Sequence, residues 1–185
     1  MTRITVINPN TSAELTDAIV LAAREVSGSG VTVRGVHPAD GVPSVESHAE
    51  EAIAAVGVLA QVREQQADTD AYVVACFGDT GVQAAREVAS CPVVGMTEAA
   101  LQTACLIAHR FVVVTLPART AMAEDGAEAV VLGCAGLADL VGPLSRALDI
   151  PVVDGVAAAV GIATGLVAMG LNTSRANTFA AVELP

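Results

Sequence analysis

Lysine is absent from this chain of 185 residues; all nine basic residues are arginine. Without a lysine amine there is no Schiff-base anchor for pyridoxal phosphate and no P-loop lysine for a nucleotide phosphate, so both chemistries are excluded. Tryptophan is absent too, and aromatics make up only 2% of a chain that is 53% hydrophobic. The core must therefore be built from Ala, Val, Leu and Ile, which suits parallel sheets covered by small-residue helices. Positive charge is scarce: the formal net charge is −11 and no segment clusters arginine. Phosphate attraction works against nucleic-acid binding, and no nucleic-acid partner is expected. The four cysteines (Cys76, Cys91, Cys105, Cys134) show no CxxC spacing and no secretory leader opens the chain, so free thiols in a cytoplasmic protein are expected. The longest apolar run, residues 156–171, is short for a membrane span and broken by glycine. It reads as a buried helix, with no membrane association. His37, His48 and His109 lack metal-ligand spacing, and no metal is expected.

What is present is alternation. Apolar, β-branched runs at 4–7, 31–36, 72–75, 93–94, 111–114, 129–132 and 152–153 predict strands. The stretches 12–26, 47–65, 81–89, 98–108, 137–148 and 155–169 predict helices between them, so the chain reads as parallel βα units of an α/β fold. It also repeats itself. Ala71-Tyr-Val-Val-Ala-Cys-Phe-Gly78 matches Ala129-Val-Val-Leu-Gly-Cys-Ala-Gly136, and each is followed by a helix and a Pro-Val-Val strand. Cysteine and proline lie 16 residues apart in one copy and 17 in the other. Arg3-Ile-Thr-Val-Ile7 and Arg110-Phe-Val-Val-Val114 open the two copies. The repeat is unequal: 73 residues separate Arg3 from Cys76, whereas 24 separate Arg110 from Cys134. The second copy is short by roughly a helix, a strand and a helix at ordinary element sizes.

In open parallel sheets ligands gather at the carboxyl ends of strands, and Cys76 and Cys134 both follow a strand directly. Helix N-termini just beyond them would favour thiolate over thiol. Two related lobes facing each other would aim the two thiols at one ligand from opposite sides. One could then remove a proton beside a carbonyl while the other returns one to the far face, with backbone amides of Asp79, Thr80, Ala135 and Gly136 stabilising the anion. Cys91 and Cys105 read instead as small apolar core residues. Polar residues at the opening strands' ends, Asn8 to Ser12 in one copy and Thr115, Arg119 and Thr120 in the other, divide between ligand contact and helix capping.

The run Ile7-Asn-Pro-Asn-Thr-Ser12, the block Cys76-Phe-Gly-Asp-Thr-Gly81 and the block Val131-Leu-Gly-Cys-Ala-Gly-Leu-Ala-Asp139 together resemble the hydantoin racemase branch of the aspartate/glutamate/hydantoin racemase superfamily, over nearly the whole chain. The resemblance implies two pseudo-symmetric flavodoxin-like lobes with parallel sheets and the site between them in one compact unit. Lobe one would comprise 1–95 with the C-terminal helix 155–185, and lobe two, shortened, 96–154. It implies a cofactor-independent racemase of 5-monosubstituted hydantoins or the cyclic ureide allantoin, with Cys76 and Cys134 catalytic. Substrate contacts are expected from Asn8, Asn10, Thr11, Gly78, Asp79, Thr80, Thr115, Arg119, Thr120, Ala135 and Gly136, and the protein is expected to be a homo-oligomer acting on a small molecule. Two cysteines argue against the one-cysteine arylmalonate decarboxylases. The Asn-Pro-Asn opening differs from the Gly-rich opening of amino-acid racemases; maleate isomerases, which also pair cysteines, remain relatives. Thr80 stands where relatives more often place proline. Between Pro117 and Gly126 the relatives continue through further elements, and the alternative reading is a non-catalytic binding protein of the same fold.

Overall fold

The computed structural model describes residues 1–114 and 126–181. Elements follow in the order β1 (Thr2–Ile7), α1 (Ala13–Glu25), β2 (Val31–Val36), α2 (His48–Gln65), β3 (Ala71–Val74), α3 (Val82–Val88), β4 (Val93–Gly95), α4 (Met96–Ile107), β5 (Phe111–Val114), β6 (Ala129–Leu132), α5 (Val141–Leu148), β7 (Val152–Asp154) and α6 (Gly155–Ala168). Each strand and helix expected from the sequence is present. One start differs: a 3-10 turn at Ala135–Leu140 precedes α5, where a single helix from 137 was expected.

All strand pairs are parallel, in a four-stranded sheet of order β2-β1-β3-β4 and a three-stranded sheet of order β5-β6-β7. In the first sheet β3 and β4 are buried at every position and β1 from Ile4 on, which is why they read as apolar runs, while the edge strand β2 exposes Thr32 and Arg34. Ile4, Val6, Ala71 and Val73 face α1 and α6, while Ile7, Tyr72 and Val74 face α2 and α3. Tyr72, the single tyrosine, is fully buried, and its hydroxyl donates to the Val62 carbonyl at 2.9 Å. Helix α4 joins the sheets: Met96 and Ala99 enter the first core, and Ala100 and Ala104 pack with Val131 and Val153 of the second. The apolar run near the C-terminus is α6, with Val156, Ala159, Val160 and Ala163 buried. Among the described residues, no helix is long and apolar enough to cross a membrane.

The duplication extends to the hydrogen bonds. Ile4–Ile7 pair with Ala71–Val74, and Phe111–Val114 with Ala129–Leu132, in the same register. The amide after each second strand returns to the first, Ala75 N to Ile7 O at 2.9 Å and Gly133 N to Val114 O at 2.7 Å. Tyr72 N to Pro92 O at 2.8 Å is matched by Val130 N to Pro151 O at 2.9 Å. Thus β5, β6 and β7 repeat β1, β3 and β4. Among the described residues the second sheet has no counterpart of β2, the element the unequal repeat leaves out.

Candidate active site

Asn8 ends β1 and is buried; its side-chain N–H groups donate to Asn10 Oδ1 (2.8 Å), the Ser12 carbonyl (3.1 Å) and Thr16 Oγ1 (3.1 Å). It shapes the turn into α1, whose first-turn amide at Leu15 is capped by Ser12 Oγ. Asn10 Oδ1 also accepts from Ser12 N at 2.9 Å. With its oxygen held twice, the Asn10 side chain keeps its NH2 end to donate elsewhere. Thr11 anchors a neighbouring loop, its amide donating to the Val42 carbonyl at 3.0 Å.

Cys76 follows β3 by one residue, but α3 begins only at Val82, so a loop and not a helix terminus adjoins the thiol. That loop is tightly wound: Gly78, Asp79 and Gly81 have φ of 109°, 55° and 76°, conformations that favour glycine and, less strongly, aspartate. The Asp79 amide closes the turn onto the Cys76 carbonyl at 3.1 Å, and the Gly78 amide donates to Thr97 Oγ1 at 2.7 Å. Of the two amides expected here to stabilise an anion, those of Asp79 and Thr80, the Asp79 amide is thus spent inside the loop. The thiolate-favouring environment expected at Cys76 is not found either. Burial pushes the Cys76 thiol up, the Thr80 hydroxyl at 3.5 Å opposes this, and negative charge on Asp79, Cys134 and Glu51 adds to the rise.

Cys134 stands at the N-terminus of the 3-10 turn Ala135–Leu140, the equivalent strand end of the second sheet. Both thiols are free and line one cavity of about 500 Å³ with Asn8, Asn10 and Ala135. The β2–α2 connection adds Ser44, Val45 and Glu46, and Leu15 and Phe77 add apolar wall. Sequence reasoning missed these five; the loop ones lie in an aperiodic stretch with no signal beyond turn-forming Gly and Pro. Thr11, Gly78, Asp79, Thr80 and Gly136 do not line the cavity; Gly136 borders a separate depression beside α1. Thr115, Arg119 and Thr120 lie outside the described residues. Cys91 is half-buried, its thiol pushed up to about 11 by burial, whereas Cys105 is exposed on α4 and is no core residue. Among the described residues no group of His, Cys, Asp and Glu is arranged to hold a metal ion.

Two parallel sheets whose equivalent strand ends meet at one cleft are the architecture of the α/β racemases. The family model for Asp/Glu/Hydantoin racemase matches residues 4–121 and 117–163. The hydantoin racemase of Rhizobium meliloti is 37% identical over 225 aligned positions, covering 96% of this chain and 93% of that one. The chain belongs to the Asp/Glu/hydantoin racemase family, in its hydantoin racemase branch, and is an isomerase of the racemase class. Solved structures agree. An allantoin racemase from Klebsiella pneumoniae is 41% identical with a TM-score of 0.93, covering 100% of this chain and 95% of that one. The allantoin racemase of Pseudomonas fluorescens is 32% identical with a TM-score of 0.91, covering 100% and 98%. Against 185 residues, 225 aligned positions leave at least 40 in the Rhizobium protein without a counterpart here. The two family matches meet at 117–121, inside the stretch where the internal repeat runs short.

Proposed function

We propose that this chain racemises 5-monosubstituted hydantoins or the related ureide allantoin, without a cofactor, using Cys76 and Cys134 as paired acid and base. One observation carries the reading: the two thiols line the same cavity from equivalent ends of two parallel sheets. The proton at hydantoin C5 lies next to a ring carbonyl, so its removal places charge on that oxygen. The NH2 end of Asn10, without a partner among the described residues, suits that oxygen as a donor. Burial raises the Cys76 thiol and negative charge at Cys134 adds to the rise, which suits Cys76 to the part of the acid. In one direction Cys134 removes the proton and Cys76 delivers one to the opposite face; in the other the roles exchange. Among the described residues the cavity wall carries polar amides, a hydroxyl and the Glu46 carboxylate but no cation, which favours a neutral cyclic ureide over an amino-acid carboxylate. The working unit in this reading is a cytoplasmic homo-oligomer whose protomers have lobe one at 1–95 and 155–185 and lobe two at 96–154.

The test is an enantiopure 5-substituted hydantoin, and separately allantoin, in deuterated buffer, followed by NMR at the stereocentre and by optical rotation. Exchange and racemisation well above the spontaneous rate are expected, with interconversion of the enantiomers abolished in Cys76→Ser and in Cys134→Ser; full activity in either variant removes the two-thiol mechanism. The segment of at least 40 positions that the Rhizobium relative carries favours a second reading, a non-catalytic binder. That protein would gain thermal stability from the ligand while leaving its stereocentre unexchanged.

A further inference from the structure

The Cys76 loop is fastened to the start of α4. The Asp79 carboxylate accepts two amides of that helix, Thr97 N on Oδ1 at 2.8 Å and Glu98 N on Oδ2 at 2.9 Å. The Thr97 hydroxyl accepts from Gly78 N at 2.7 Å and lies against the same carboxylate. The loop from Gly78 to Asp79 is thereby tied to α4 by the Gly78 amide and both carboxylate oxygens of Asp79, and Asp79 holds a left-handed backbone there. Gly95 makes the approach possible, since a Cβ at that position would collide with the Asp79 carboxylate.

Among the described residues the second half has no such tie to its following helix. Aligned on the cysteines, Cys76-Phe-Gly-Asp79 faces Cys134-Ala-Gly-Leu137, so a leucine stands where the carboxylate does. The position equivalent to Gly95 is Asp154, which caps α6 itself, Oδ1 accepting from Ala157 N at 2.7 Å. In each half a carboxylate caps the amides at the start of the helix after the last strand, but only in the first does one come from the cysteine loop. Among the described residues no side-chain hydrogen bond joins the Cys134 turn to α6.

We propose that Asp79 and Thr97 are positioning residues that set where the Cys76 sulfur stands in the cavity, and that among the described residues Cys134 has no equivalent clamp to α6. The inference rests on the two-thiol reading. Its consequence is one-sided. A loosened clamp displaces Cys76 alone, so the enantiomer whose proton faces Cys76 loses both exchange and inversion. The other enantiomer still gives its proton to Cys134 and regains deuterium from the same face, exchanging with retention.

The experiment follows deuterium uptake and inversion separately for each enantiomer of a 5-substituted hydantoin in Asp79→Asn, Thr97→Val and Thr97→Ser. Asp79→Asn keeps a residue that tolerates the backbone but offers a single acceptor in place of two, and Thr97→Val removes the hydroxyl at constant shape. Interconversion is expected to fall on the order of 100-fold in Asp79→Asn and about tenfold in Thr97→Val, the scale of a misplaced reacting group. Exchange should persist for one enantiomer only, and Thr97→Ser should restore the unmodified behaviour. Equal loss of exchange from both enantiomers, or no loss in either variant that folds by circular dichroism, overturns the proposal. Cys76→Ser and Cys134→Ser run alongside must each spare a different enantiomer. If both spare the same one, or neither, the two-thiol reading fails and takes the clamp's role with it; if they behave as expected and the Asp79 and Thr97 variants do not, the clamp alone fails.

Discussion

Thr80 is the side chain that bears most directly on the Cys76 sulfur, an acid or base in the proposed mechanism. Its hydroxyl, 3.5 Å from Cys76, counters the burial that holds the thiol protonated. Thr80→Val removes that counterweight, so the Cys76 thiol rises further and the limb of the pH–rate profile that needs its thiolate is expected to move to higher pH; a profile that stays put would leave Thr80 a packing residue. Asp154 offers a stability counterpart. Its Oδ2 is buried without a partner among the described residues, and burial raises the carboxyl above its ordinary value. A folded-state pKa raised above the unfolded one means that the native state binds the extra proton, so this group's contribution is present at low pH and lost as pH climbs through the folded value. Asp154→Asn should therefore flatten the fall of stability with pH above roughly pH 4, read by urea denaturation across the acid range. How much was legible at this scale follows from the kind of signal. Cys76 and Cys134 could be picked out because the repeat puts them at the same offset from matching strands. Thr97, Ser44 and Glu46 could not: Thr97 reads as an ordinary helix residue until the Asp79 loop is seen to land on it, and the other two sit in a loop without period.

At the scale of elements, the strands announced themselves because a parallel strand covered on both faces must be continuously apolar, and Ala71–Val74 and Ala129–Leu132 are buried at every position. The 3-10 turn at Ala135–Leu140 was hidden, since its composition continues smoothly into α5; Pro143, which has no N–H to give, falls in the first turn of α5 where none is needed. The junction of β4 and α4 is open to disruption by a small change. Gly95→Ala would drive a methyl group into the Asp79 carboxylate, and an overpacked site of this kind costs about 1–3 kcal/mol. A lower melting temperature with a larger proportional loss of turnover is expected; a stability loss with turnover intact would show that the Cys76 loop tolerates the shift.

For the molecule as a whole, α4 and α6 are shared property. Met96 and Ala99 belong to the first core and Ala100 and Ala104 to the other, while Ala159 and Val160 pack beneath the first sheet and Ala158 also touches the second core. Neither sheet can shed its cover without uncovering part of the other, so unfolding is expected to be a single cooperative transition. The chain carries its own probe: Tyr72, the single tyrosine in a protein without tryptophan, is buried in the first sheet. Its fluorescence and the far-ultraviolet dichroism of all the helices should report one midpoint in urea, and two separated midpoints would mean that the sheets melt independently. The one-sided fastening of the Cys76 loop also bears on turnover. The two mirror forms of a substrate with one stereocentre are equal in energy, so the specificity constants of the forward and reverse reactions must be equal however lopsided the site is. In the steady-state constants for interconversion an asymmetric frame can then surface only as a trade within each direction, one mirror form held more tightly and turned over more slowly in the same proportion.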